Sequence, residues 1–194
     1  MAYLLILSGL ALLATGVYLL AKPKEKPVAM MHGPQQHNKV DAVQITVNEY
    51  KEKGNRFEDY VIQRVGRLNG VRFIGKTADY HKNGISGKEN MEPDLKFTFR
   101  HQPFAVECKW RSRFVDGKVQ WAGDYQVKNY NRYAQQSQAP VYVCIGVGGN
   151  AEAPDAVYFV PLKALKFGFG TVEYLQPFKI ANDQQLSTRI EKNK

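Results

Sequence analysis

Two carboxylates and an amine stand in a pattern suited to phosphate chemistry: Asp94 at the head of DLKFTF, with Glu107 and Lys109 inside FAVECKWR. Both runs alternate apolar and polar residues, the period of a strand with one covered face. Leu95, Phe97, Phe99, Phe104, Val106, Cys108 and Trp110 take the apolar positions, and Asp94, Lys96, Glu107 and Lys109 the alternate ones. The intervening RHQP reads as a hairpin turn. A turn of even length unites the apolar residues on one face. Centred between His101 and Gln102, it sets Asp94 opposite Lys109 and Lys96 opposite Glu107, which makes Asp94 and Glu107 diagonal neighbours on an open polar face. Oxygen ligands of this kind hold Mg²⁺, which polarises a phosphoryl oxygen, while a lysine orients the attacking water or offsets charge on phosphate. The chemistry that follows is metal-assisted phosphodiester hydrolysis. The plainer alternative is a set of solvent-facing acids paired across the strands with Lys96 and Lys109.

Pro93-Asp94, twelve intervening residues and then Glu107-Cys108-Lys109 resemble the PD-(D/E)xK motif of the restriction-endonuclease-like nuclease superfamily. The resemblance implies an α/β fold, a restriction-endonuclease-like mixed β-sheet flanked by helices in the order helix, three strands, helix, strand. It covers the chain from about Arg56 to Val147. It also implies that Asp94 and Glu107 bind the metal with the backbone carbonyl of Cys108, and that Lys109 is the catalytic lysine. Glu58, in NRFEDYV, resembles the additional catalytic and metal-binding acid of the first helix in many members. Gln126 and Tyr130, as Q-x-x-x-Y, resemble the helix motif of a subset, with Gln126 a further catalytic residue. The implied cofactor is Mg²⁺, or Mn²⁺ in its place. The implied partner is nucleic acid, DNA ahead of RNA, and a homodimer remains open.

The elements that must position these residues are readable from periodicity. Asn55 and Glu58 have capping-box spacing, and Phe57, Val61, Ile62, Val65 and Leu68 recur at helical spacing, so a helix is expected from about Arg56 to Leu68. A separate helical stretch fits Ala42 to Lys51. Asn69-Gly70 stops the helix, VRFIG suits a short strand, and KTADYHKNGISGKENMEP is a polar loop. Asp124 is placed to cap a second helix ending before Pro140. VYVCIGV and AVYFVPL read as buried strands joined by a turn at Gly148-Gly149. Trp110 and Trp121 suit packing better than base stacking, and Cys108 and Cys144, in apolar runs without C-x-x-C spacing, suit buried thiols. The polar stretch from Asp183 is expected to fray.

Ahead of this domain, residues 2–21 carry no charge and are long enough for a bilayer core at 1.5 Å per residue. The segment lacks a basic start and a small-x-small site before Lys22, so one N-terminal transmembrane helix over 1–21 is the reading rather than a cleaved signal. Residues 22–40, with Pro23, Pro27, Pro34 and no periodicity, read as a flexible basic tether, and 41–194 as the nuclease-like domain. Lys22, Lys24 and Lys26 follow the segment and no basic side chain precedes it, which holds the C-terminal domain in the cytoplasm at the inner membrane.

The chain carries a formal charge of +9, which suits an anionic partner, and Arg111, Arg113, Lys118, Lys128 and Arg132 border the proposed site. The sequence thus points to a membrane-anchored, metal-dependent endonuclease acting on DNA. Its alternative is a catalytically inactive nuclease-fold module that binds DNA or a protein partner at the membrane.

Overall fold

A computed structural model describes residues 37–77, 81–82, 85–86 and 91–193, with side chains described in 48–77 and 91–193. The proposed membrane segment and the tether as far as residue 36 lie outside the described residues. Among the described residues no helix is long and apolar enough to cross a membrane.

Helix α1 runs unbroken over His37–Gly66. It merges the two helical stretches expected from the sequence and begins inside the presumed tether. Asn55 is therefore an interior residue and caps nothing. Gly54 costs the helix only about 1 kcal/mol, and no proline enforces a break. Phe57, Val61 and Val65, at helical spacing, are buried against the sheet.

The main sheet contains β1 (Val71–Lys76), β4 (Leu95–Phe99), β5 (Gln102–Arg111), β7 (Val141–Val147) and β8 (Ala156–Pro161), in the order β1-β4-β5-β7-β8. Only the β5–β7 pair is parallel. That connection passes through α2 (Asp124–Ser137), which covers the face opposite α1. Every residue of β7 is buried, as expected for a central strand under helices on both sides. Gly146 of β7 is required by close approach, since a Cβ there would sit 2.4 Å from the Phe57 ring.

Four strands and two helices escaped the sequence reading. The polar loop holds a two-residue ladder, β2 (His81–Lys82) with β3 (Ile85–Ser86). β6 (Lys118–Gln120) and β9 (Phe169–Thr171) form a separate ribbon. A short helix α3 (Val172–Leu175) follows β9. The stretch expected to fray is helix α4 (Asp183–Lys192), capped by Asn182, whose side chain accepts a hydrogen bond from the Gln185 amide. Leu186 and Ile190 bury one side of α4 in the α1 core, which overrides the local polarity.

The hairpin has the expected parity but a different centre. Phe99 pairs with Gln102, Phe97 with Phe104 and Leu95 with Val106, so the turn is Arg100-His101. Both turn residues have positive φ, 49° and 70°, as a two-residue type I′ connection requires. The apolar set does share one buried face. The pairings expected for the polar set are corrected by two residues: Lys96 stands opposite Ala105, and the register extended one step beyond Leu95 and Val106 sets Asp94 opposite Glu107.

Candidate active site

Asp94 lies one residue before β4, and Glu107 and Lys109 are alternate residues of β5, so all three belong to the sheet face under α2. That face is covered where the sequence suggested an open one. Glu107 is fully buried and Lys109 is 24% exposed. Three contacts hold the group. The Cys108 amide donates to Asp94 Oδ2 at 2.8 Å, and Lys109 Nζ lies 2.9 Å from Glu107 Oε1. Tyr130, buried on α2, presents its phenol to the Glu107 carboxylate and stacks on the buried Trp121 at 6.4 Å between ring centres. The lysine's ion-pair contact with Oε1 is close, yet neither buried Glu107 oxygen accepts a hydrogen bond of good angular geometry. The carboxylate is thus neutralised on one side and under-coordinated on the other.

The electrostatics follow from this crowding. Burial, and then the facing Glu107 carboxylate, push Asp94 well above the usual carboxylate range, while Lys109 and the Cys108 amide oppose the shift without cancelling it. Burial disfavours the Lys109 ammonium, but the charges of Glu107 and Asp94 outweigh that and raise its pKa. Burial, reinforced by Glu107 and Asp94, keeps the Tyr130 phenol protonated. Two acids facing each other in a site short of hydrogen-bond donors form a donor set that fits a divalent cation. Among the described residues no group of three or more His, Cys, Asp or Glu side chains gathers at one point, so the fit rests on two carboxylates and backbone oxygen.

The other candidate residues sit further out. Glu58 is half-buried on α1, and its Oε2 lies 3.2 Å from Lys76 Nζ of β1; its charge is felt at Asp94. Gln126 is turned to its own helix terminus, where its Oε1 accepts from the Gly123 amide at 3.1 Å. Gly123, not Asp124, is the residue at the N-cap. Lys96, expected across from Glu107, pairs with Glu92 at 2.5 Å. The resemblance named Tyr130 beside Gln126, and it is Tyr130 that reaches the carboxylate. Its signal was the i, i+4 spacing that puts both on one side of α2. Trp110 and Trp121 serve packing: the Trp121 indole donates to the Phe167 carbonyl at 2.9 Å and that of Trp110 to the Gly148 carbonyl at 3.2 Å.

The chain matches no family model and no curated protein. Among solved structures it is similar to Hjc, a Holliday junction resolvase from the archaeal hyperthermophile Archaeoglobus fulgidus, at 18% identity and a TM-score of 0.48, over 66% of this chain and 90% of that one.

Proposed function

We propose that the chain is a membrane-anchored, Mg²⁺-dependent nuclease that hydrolyses DNA phosphodiester bonds. The observation that carries this reading is the opposition of Asp94 and Glu107 on a covered sheet face, with Lys109 beside them and the Glu107 oxygens short of donors. Two buried carboxylates offset by a single ammonium group are costly, and a cation shared between the two acids lowers that cost.

Asp94, Glu107 and the Cys108 carbonyl would hold the ion, which Mn²⁺ could replace. When bound, it supplies Lewis-acid polarisation of the phosphoryl group. The remaining work falls to the protein. The Cys108 amide fixes the direction of Asp94. Lys109 pairs with Glu107 along β5, and the buried Tyr130 of α2 lies beside the carboxylate. The Lys109 ammonium, 24% exposed and paired with Glu107, is the cation available to orient a water and offset negative charge developing on phosphate. Glu58 reaches the site by charge through Asp94, and Gln126 acts on it by shaping the start of α2.

Support for the anchor is the uncharged segment 2–21 followed by Lys22, Lys24 and Lys26. A reporter fused after Lys194 should be active in the cytoplasm, and activity of a periplasm-only reporter would reverse the orientation.

The deciding experiment incubates the full chain, in mild detergent, with plasmid, single-stranded DNA and RNA, in Mg²⁺ and in EDTA. DNA cleavage that needs the metal and is lost in Asp94→Asn supports the nuclease. DNA binding without cleavage in Mg²⁺ or Mn²⁺ would favour the inactive binding module, and cleavage that persists in Asp94→Asn would place the chemistry elsewhere.

A further inference from the structure

A second feature lies at the far edge of the sheet. Strand β8 is the edge strand on the β7 side, two places from β5. Just beyond it, the turns Leu162–Ala164 and Gln176–Phe178 and helix α4 enclose a groove of about 670 Å³. Lys163, Lys179, Arg189 and Lys192 line it, with no acidic residue among its walls.

The four cations divide into a frame and a free set. Arg189 is structural: it donates to the Phe159 carbonyl at 3.0 Å and the Pro177 carbonyl at 2.9 Å and lies over the Phe178 ring, joining α4 to the sheet edge. Lys163, Lys179 and Lys192 are exposed, and among the described residues none is ion-paired. The acids of α4 point elsewhere, Asp183 to Arg64 and Arg67 and Glu191 to Arg100. Three unneutralised ammonium groups around one concavity repel each other, and a polyanion relieves that repulsion while releasing its own counterions.

The groove is also level with the candidate site. Pro161 on its rim pairs with Tyr142 of β7, which pairs with Val106 of β5, the residue preceding Glu107. With strands about 4.8 Å apart, β8 lies on the order of 10 Å across the sheet from β5, and the groove lies just beyond it. Gln184, Gln185 and Thr188 add hydrogen-bonding side chains to the cations, as phosphate and sugar contacts require. A concave, polar, lysine-lined trough suits a ridge of phosphates better than a flat lipid surface.

We propose that this groove is a second nucleic-acid site, in which Lys163, Lys179 and Lys192 grip the phosphate backbone of DNA flanking the scissile bond. The identity of the polyanion rests on the nuclease reading above; the groove and its charge do not.

The test is DNA binding by the full chain in mild detergent, measured in EDTA so that no cleavage intervenes, on a short and a long duplex over a range of salt. The triple variant K163Q/K179Q/K192Q should lose roughly tenfold or more in affinity for the long duplex, and the slope of log affinity against log salt should shrink by about three. Affinity for the short duplex and its cleavage in Mg²⁺ should stay close to wild type. Because the three side chains are exposed, the variant should keep its melting temperature. Unchanged affinity and slope on the long duplex would overturn the proposal. So would loss, in the triple variant, of binding to phosphatidylserine vesicles over phosphatidylcholine vesicles with DNA binding intact, which would assign the groove to lipid. A chain that cuts nothing but loses DNA affinity in the triple variant would sink the nuclease reading and leave the groove standing.

Discussion

Asp94 is fastened to the backbone of the residue that follows Glu107: the Cys108 amide donates to Asp94 Oδ2 at 2.8 Å while the two acids face each other across the hairpin. The hydrogen bond that fixes the geometry therefore also holds like charges together. The folded chain binds the Asp94 proton more tightly than the unfolded chain, whose carboxyl titrates near 3.8. The associated stability is fully present below that pH and is lost as pH rises through the elevated folded value. At neutral pH without metal, Asp94→Asn should thus melt at the same temperature as wild type or higher. Added Mg²⁺ should stabilise wild type only, by about 2.7 kcal/mol at a hundredfold excess over Kd. Equal Mg²⁺ stabilisation of both proteins in a melting experiment would exclude Asp94 as a ligand.

Lys109 balances Glu107 at 2.9 Å, and Glu107 is fully buried. Replacing the lysine by methionine keeps the stem and leaves the carboxylate without its cation, which should cost about 3 kcal/mol in denaturant unfolding. Glu107→Gln in the same chain should recover much of that loss, because the neutral amide no longer needs a counter-charge. Cleavage should stay undetectable in both. Additive losses in the double-mutant cycle would mean that the ion pair contributes little.

The hairpin shows how much of this was legible. Alternation from Leu95 to Trp110 specified which side chains share a face, because burying the apolar set admits only one parity. It could not specify the centre of the turn. Pro103 looked like a turn residue, whereas the turn is made by Arg100 and His101 in left-handed conformations that their types do not advertise. The two-residue slip preserved the faces and changed the partners, turning a diagonal pair of acids into an opposed one. Burial of Glu107 was likewise invisible, since it depends on α2 folding over the sheet and on Tyr130 arriving from a separate segment. Helix α4 escaped because only Leu186 and Ile190 among its residues are buried, too few to mark a period against so polar a background.

Cys108 and Cys144 are neighbours on β5 and β7 and both are buried. Burial pushes the Cys144 thiol up to about 12 and raises Cys108 well above its ordinary range, so neither supplies thiolate near neutral pH. Both should resist Ellman's reagent at pH 8 in the folded protein and react together once denaturant unfolds it. Prompt reaction of either thiol without denaturant would show that this core opens locally.

The docking of α4 on α1 combines apolar burial with a surface bridge whose contributions differ in size and in pH dependence. Asp183 lies 2.8 Å from Arg67 and 3.8 Å from Arg64, and the hydrogen bond and charge of Arg67 hold its carboxyl below the ordinary value of 3.8. A depressed folded pKa means that the bridge stabilises above about pH 4 and loses that contribution as pH falls through the folded value. The groups are partly exposed and screened, so Asp183→Asn should cost only about 0.2–1 kcal/mol at neutral pH, with the difference from wild type vanishing near pH 2. Leu186→Ala, which empties a buried position in the same interface, should cost about 2–5 kcal/mol at both pH values. Because Arg189, which frames the basic groove, sits on this helix, Leu186→Ala should also weaken long-duplex binding, whereas Asp183→Asn should leave it intact. Urea unfolding at the two pH values, read beside the binding assay, checks both halves: a loss from Asp183→Asn comparable to that from Leu186→Ala would mean that charge rather than burial holds α4 in place.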